Sequence, residues 1–186
     1  IGALVRKQVD AVSGILPQHV ATVEKIQGIK DYKLGLPAYV GAFFNLKSPI
    51  LSDIKTRQAM AYSINRKAIV DKDLNGEAAV SYYPIPAGFI GFSPNAQKYE
   101  TDTDKAKQLI AQAGIGKANI RIVTLKNPVY EKVANSLAEY WRALGLHPEV
   151  ISADSVQLQE NFIRSRNYDI LLYGQSLGLD SDVYSF

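Results

Sequence analysis

The chain contains no cysteine, one methionine, one tryptophan and two histidines among its 186 residues. Without cysteine it can form no disulfide, no thiolate metal site and no thiol nucleophile, and the compartment stays open because exported proteins also dispense with the residue. His19 follows Pro17 at an expected helix start and His147 precedes Pro148 at an expected strand start, with no third ligand at metal spacing. They read as surface residues rather than catalytic or metal-binding ones. No apolar run approaches the roughly 20 residues that span a bilayer. Net charge is +3, with 21 Lys and Arg scattered among 18 acidic residues, so nothing favours nucleic-acid binding. The GIG at 114–116 lacks a third glycine and follows a helix rather than a strand, which rules it out as a phosphate loop. No internal repeat, low-complexity tract or flexible linker is visible.

What is present suits one folded domain or one lobe of a larger protein. At this length roughly 70% of the unfolded chain's surface can be buried, and 47% hydrophobic against 21% charged residues is enough to build that core. Ile1 in place of Met, and an end directly after an acidic aromatic loop, lead us to expect that both termini are internal to a longer polypeptide. Any signal peptide would then lie upstream.

Local signals divide the chain clearly. Residues 9–16 alternate loosely and predict a short strand; Pro17 opens a helix through Ile26, ended by Gly28. Residues 32–44 are rich in Tyr, Val, Leu and Phe but broken by Gly35, Pro37 and Gly41, which predicts a long bent strand. Ser52 or Asp53 can cap an amphipathic helix over 53–64, with Ile54, Met60, Ala61 and Ile64 inward and Lys55, Arg57 and Gln58 outward. Arg57 is expected to make a structural ion pair or reach solvent. Asn65 can cap a second helix ending near Gly76. Residues 77–99, with three prolines and no sustained periodicity, predict a long ordered loop.

Further along, Thr101 or Thr103 is expected to cap a helix over 104–113, with Gly114 at its end. A strand over 119–125, a helix over 128–144 with Trp141 in the core, a strand over 147–152, a helix over 154–165 and a strand over 168–173 follow. This β-α-β-α-β alternation implies parallel strands joined by right-handed crossovers under covering helices, with ligands beyond the C-terminal strand ends. The fold class is therefore α/β with a mixed, largely parallel sheet flanked by helices.

The stretch NLKSPILSDIKTRQAMAYSINRKAI also carries a resemblance. Phe44, Asn45, Pro49, Asp53, Arg57, Gln58, Ala59, Ile64, Asn65, Arg66 and Ile69 fall at the fixed spacing seen at the entrance to the second lobe of peptide-type solute-binding proteins of ABC transporters. Residues 76–114 are similar to that family's G-x-A, P-I-P-x-G and D-x-x-K-A-K-x-L segments, and YDILLYGQSLGLDSDVYSF resembles its strand running into an acidic loop. The resemblance implies a periplasmic-binding-protein-like lobe. Residues 1–44 would be the end of the first lobe and a crossing strand, and residues 45–186 the second lobe without its C-terminal part.

It further implies uptake of an oligopeptide or dipeptide, or another small solute, by closure of two lobes, outside the cytoplasm, in partnership with a membrane permease. No cofactor, metal, catalysis or nucleic acid is implied, and a monomer is expected at full length. A peptide's ammonium group could be held by a partly desolvated carboxylate, so Asp180 and Asp182 are candidate ligand residues, with Tyr184 and Gln175 beside them and Tyr82 and Tyr83 as cleft-lining aromatics. Ser181 stands where the family often has proline, and Gln175 where it often has an aromatic. The structural alternatives are a solvated acidic loop for Asp180 and Asp182 and packing within their own loop for the two tyrosines. Two other functions use the same residues: an α/β hydrolase or transferase working through Asp180 and Asp182, and a non-catalytic interaction module.

Overall fold

The computed structural model describes residues 1–35 and 38–176. Four strands form one mixed sheet in the order β1-β4-β2-β3, where β1 is Ala38–Phe44, β2 Asn119–Leu125, β3 His147–Ala153 and β4 Ile170–Ser176. β2 pairs in parallel with both β3 and β4, while β1 lies antiparallel on the outer edge of β4.

Alternation along the strands splits the apolar side chains between two faces. Ile120, Ile122, Ile170 and Leu172 point to one face and are buried with Leu137, Ala138 and Trp141 of α6 (Pro128–Arg142). Val123, Leu171 and Ala153 point to the other and are buried with Leu158. The crossover from β2 to β3 thus covers one face and the crossover from β3 back past β2 to β4 covers the other. That second crossover is one short turn, α7 (Ser155–Gln157), running directly into a π-helical segment, Leu158–Ile163. A regular helix over 154–165 was expected; the wider π turn brings Leu158, Phe162 and Ile163 onto the second face.

A helical layer backs the first face: α3 (Ile54–Ser63), α4 (Arg66–Asp73) and α5 (Thr103–Ala113). Trp141 is fully buried and its indole N–H donates to the Met60 carbonyl at 3.2 Å, joining α6 to α3. Asp73 and Ser136 join α4 to α6 through a buried 2.6 Å hydrogen bond from the hydroxyl to the carboxylate.

Several boundaries differ from the sequence expectation for identifiable reasons. Residues 9–16 are not a strand; two short helices, α1 (Gly2–Val5) and α2 (Pro17–Val23), flank an irregular stretch. α2 stops at Val23 rather than Ile26. Of the expected strand over 32–44, Ala38–Phe44 is strand and pairs with β4, whereas residues 31–35 are irregular. α5 is capped by Asp102, whose carboxylate accepts from the Lys105 N–H at 2.9 Å, because the Thr101 hydroxyl is spent on the Ile64 carbonyl and Thr103 is already helical.

α3 is capped by Asp53, but its buried side is Thr56, Ala59, Met60, Tyr62 and Ser63, while Ile54 stands exposed. Of the expected inward residues Met60 and Ile64 are buried, Ala61 is half-buried and Ile54 is exposed, because small and hydroxylated residues form much of the close contact. Arg57 makes no ion pair among the described residues; it donates to the Leu51 and Ser52 carbonyls, both at 2.8 Å, and so ties the helix to its own entry turn.

Candidate functional site

In an open α/β sheet, the crevice for a ligand opens where successive crossovers leave in opposite directions, beyond the C-terminal strand ends. Here that switch falls between β2 and β4, since β3 lies on one side of β2 and β4 on the other. β1 is antiparallel, so its N-terminal end reaches the same edge, pairing Tyr39 with Gln175 and Ala38 with Ser176.

Gln175 is half-buried at this edge and its side-chain amide donates to the Ser176 carbonyl at 3.1 Å. Tyr39 is its register partner. Burial pushes the Tyr39 phenol above its ordinary pKa. On the other face, Asn127 caps α6 by accepting from the Val129 N–H, and the first turn then lays Tyr130 over Gly174. A side chain at Gly174 would collide with the Tyr130 hydroxyl, so glycine is what lets the phenol approach the strand. Tyr130 is raised above the ordinary phenol range chiefly by burial, then by the neighbouring Tyr173, with the Gly174 main-chain hydrogen bond pulling the other way. Both phenols therefore hold their protons at neutral pH and act as hydrogen-bond donors and acceptors rather than as bases.

Tyr39 and Tyr130 were not singled out from sequence. The Asn-Pro pair directly after a strand, which starts a helix at a strand's C-terminal end and puts Tyr130 in its first turn, was the available signal.

Tyr82 and Tyr83 lie elsewhere. The Tyr82 ring is faced by the Arg66 guanidinium at 5.2 Å and by the Lys98 ammonium at 5.7 Å. Tyr83 meets Phe92 edge-on at 5.5 Å, and its hydroxyl donates towards the Ala96 and Pro94 carbonyls at 3.4 and 3.5 Å. Both belong to the loop packed beside the start of α4, where the Asn65 carbonyl accepts from Tyr140 near the far end of α6. That end leads into the start of β3, so the two tyrosines sit towards the opposite edge of the sheet from Gln175. Asp180, Asp182 and Tyr184 lie outside the described residues. Among the described residues no three His, Asp or Glu side chains gather at metal-binding distance, and no helix is long and apolar enough to cross a membrane.

This architecture has a counterpart. The family of bacterial extracellular solute-binding proteins, family 5 Middle, matches residues 1–186. The chain belongs to this family. It is 27% identical over 180 residues to the oligopeptide-binding protein AppA of Bacillus subtilis strain 168, covering 88% of this chain and 33% of that protein. It is 27% identical over 115 residues to the dipeptide-binding protein of Escherichia coli K12, covering 59% of this chain and 22% of that protein. The chain thus spans about a third or less of the length of these curated relatives. The structure of AppA from Bacillus subtilis in complex with a nonapeptide superposes with a TM-score of 0.85 at 23% identity, over 98% of this chain and 40% of that one. The family 5 fold accounts for the mixed sheet and its flanking helices.

Proposed function

We propose that this chain supplies most of the second lobe of an extracytoplasmic receptor that captures oligopeptides or dipeptides and passes them to an ABC permease. Residues 1–44 would end the first lobe and cross to the second, and residues 45–186 would form the second lobe. Membership of the solute-binding family across the whole chain is the observation that carries this reading. The edge at the β2/β4 switch, lined by neutral phenols and an amide, supports it, because such groups suit hydrogen bonding to peptide groups without chemistry.

Closure of the first lobe over this edge would supply contacts that neither lobe offers alone, so affinity and hinge motion are one free-energy term. Asp180 or Asp182, with Tyr184, would hold the ammonium end of the peptide by a charge-assisted hydrogen bond. Gln175 and Tyr39 would lie beside the peptide backbone. The first lobe's contacts are needed for this, so residues 1–186 alone are expected to bind peptide weakly or not at all.

Calorimetry on the full-length protein, with peptides identified by mass spectrometry of co-purifying material, tests the reading. Peptides with a free amino terminus should bind, and Asp180→Asn with Asp182→Asn should weaken them about tenfold or more while leaving N-acetylated peptides little changed. Absence of any peptide binding by the full-length protein would overturn the function. Equal loss for free and acetylated peptides would overturn the assignment of the acidic residues.

A further inference from the structure

At the N-terminal strand ends, on the edge away from Gln175, a groove of about 600 Å³ opens between the Asn45–Pro49 turn, Arg121 of β2 and the 164–169 turn that enters β4. Its lining carries Lys47, Arg121, Arg164 and Arg166 against a single acid, Asp169.

That acid is already occupied. The Ser48 hydroxyl donates to one carboxylate oxygen at 2.7 Å, and the Arg121 backbone N–H donates to the other at 2.9 Å. The Arg121 Nε stands 3.7 Å from the same oxygen, and its Nη1 donates to Asn167 at 2.7 Å. Arg164 is paired with Glu160 at 2.7 Å. Lys47 and Arg166 have no side-chain hydrogen bond or ion pair among the described residues. Lys47 and Arg166 are thus the two lining cations without a partner among the described residues, while Arg164 has Glu160 and Arg121 has Asp169, with Glu149 opposite it on β3.

Arg166 is also placed at a cost. Its φ is +51°, a left-handed conformation that glycine or asparagine adopts with less strain. The Asn45 side-chain amide locks the turn by donating to the Arg166 carbonyl at 3.2 Å and the Tyr168 carbonyl at 2.9 Å. The backbone that presents the guanidinium is therefore fixed before any ligand arrives, which lowers the ordering cost of binding.

We propose that this groove is an oxyanion site for a phosphate group, independent of the solute edge. A guanidinium offers forked donors that match phosphate oxygens, and the ammonium of Lys47 adds a point charge. The spent carboxylate leaves nothing to hold a cation. The free ion and a lipid headgroup are the two sources of such a phosphate, and both present the same oxygens.

The test uses the full-length protein with two probes at low ionic strength: inorganic phosphate by calorimetry, and phosphatidylglycerol–phosphatidylcholine vesicles by co-sedimentation. Lys47→Met combined with Arg166→Asn should weaken binding roughly tenfold or more. The Arg166→Asn variant alone should keep or raise the melting temperature, because asparagine tolerates the left-handed backbone. That combination, affinity down with stability held, is not what a merely structural arginine would give. Loss of phosphate binding alone identifies the free ion, and loss of vesicle binding identifies the headgroup. No binding of either probe, or binding that the double variant retains, overturns the proposal.

Discussion

Adding one methyl group at Gly174 tests the packing of the switch-point edge more sharply than deleting a large side chain there. In Gly174→Ala the new Cβ collides with the Tyr130 hydroxyl but comes only to 3.5 Å from the ring carbon that bears it, an ordinary contact. Displacing the half-buried phenol costs about 1–3 kcal/mol, as overpacking does. Alanine's smaller unfolded-state freedom returns roughly 0.4–1 kcal/mol. The net is a destabilisation of about 1 kcal/mol. In a Tyr130→Phe background the colliding oxygen is gone, so only the entropic gain remains and the same substitution should stabilise by about 0.5 kcal/mol. Tyr130→Phe itself gives up the main-chain hydrogen bond at Gly174, worth about 1 kcal/mol. Urea unfolding of the four proteins closes a double-mutant cycle with a coupling of roughly 1.5 kcal/mol and a change of sign. If Gly174→Ala costs the same in both backgrounds, within about 0.5 kcal/mol, Tyr130 does not rest on this strand as described.

Three further outcomes follow from the packing and electrostatics. Thr56 is fully buried and its hydroxyl has no hydrogen-bond partner among the described residues, so Thr56→Val should raise stability by about 1 kcal/mol, and a loss in chemical denaturation would contradict this. Ser136→Ala removes the 2.6 Å donor to the buried Asp73 carboxylate and should cost about 1.5–3 kcal/mol, an expense that Asp73→Asn combined with Ser136→Ala should reduce. Burial raises the phenols of Tyr39, Tyr130 and Tyr140 above the ordinary value of 10.0. The unfolded chain therefore releases these protons first, so their contribution is complete below about pH 10 and is lost as pH climbs through the folded-state values. Thermal melts from about pH 9 to about pH 11 should fall less steeply for Tyr130→Phe than for the parent, and parallel curves would refute the burial.

The helices and parallel strands of the second half were legible because each rule there was satisfied locally. Asn127 and Pro128 start α6, Trp141 repeats on its buried face, and Gly145, at φ +88°, ends it. The strand-helix-strand alternation then left little freedom in topology. Failures came where a side chain's partner was not the one its local pattern suggests. Thr101 looked like a cap, but Ile64, 37 residues earlier, claims its hydroxyl. Arg57 looked free to pair with an acid, yet two carbonyls of its own turn were nearer. Residues 9–16 had a loose strand pattern, but a strand needs a ladder partner and none of the four described strands pairs with them.

The site was less legible for a related reason. Composition and motif pointed to the acidic loop and to the tyrosine pair, because carboxylates and aromatics are what ligands most visibly need. The edge at the switch point is built from a register rather than a motif: Tyr39 meets Gln175 only because β1 is antiparallel to β4, and Tyr130 meets Gly174 only because α6 begins where β2 ends. Neither contact is a motif, since its members stand 136 and 44 positions apart in the chain. On the proposed reading the surface needs only ordinary phenols, amides and main chain, none of which looks unusual in sequence. Such a surface should tolerate conservative changes at single contacts, Tyr39→Phe among them, with small losses in affinity. Substitutions that disturb the register or the glycine beneath Tyr130 should be felt far more.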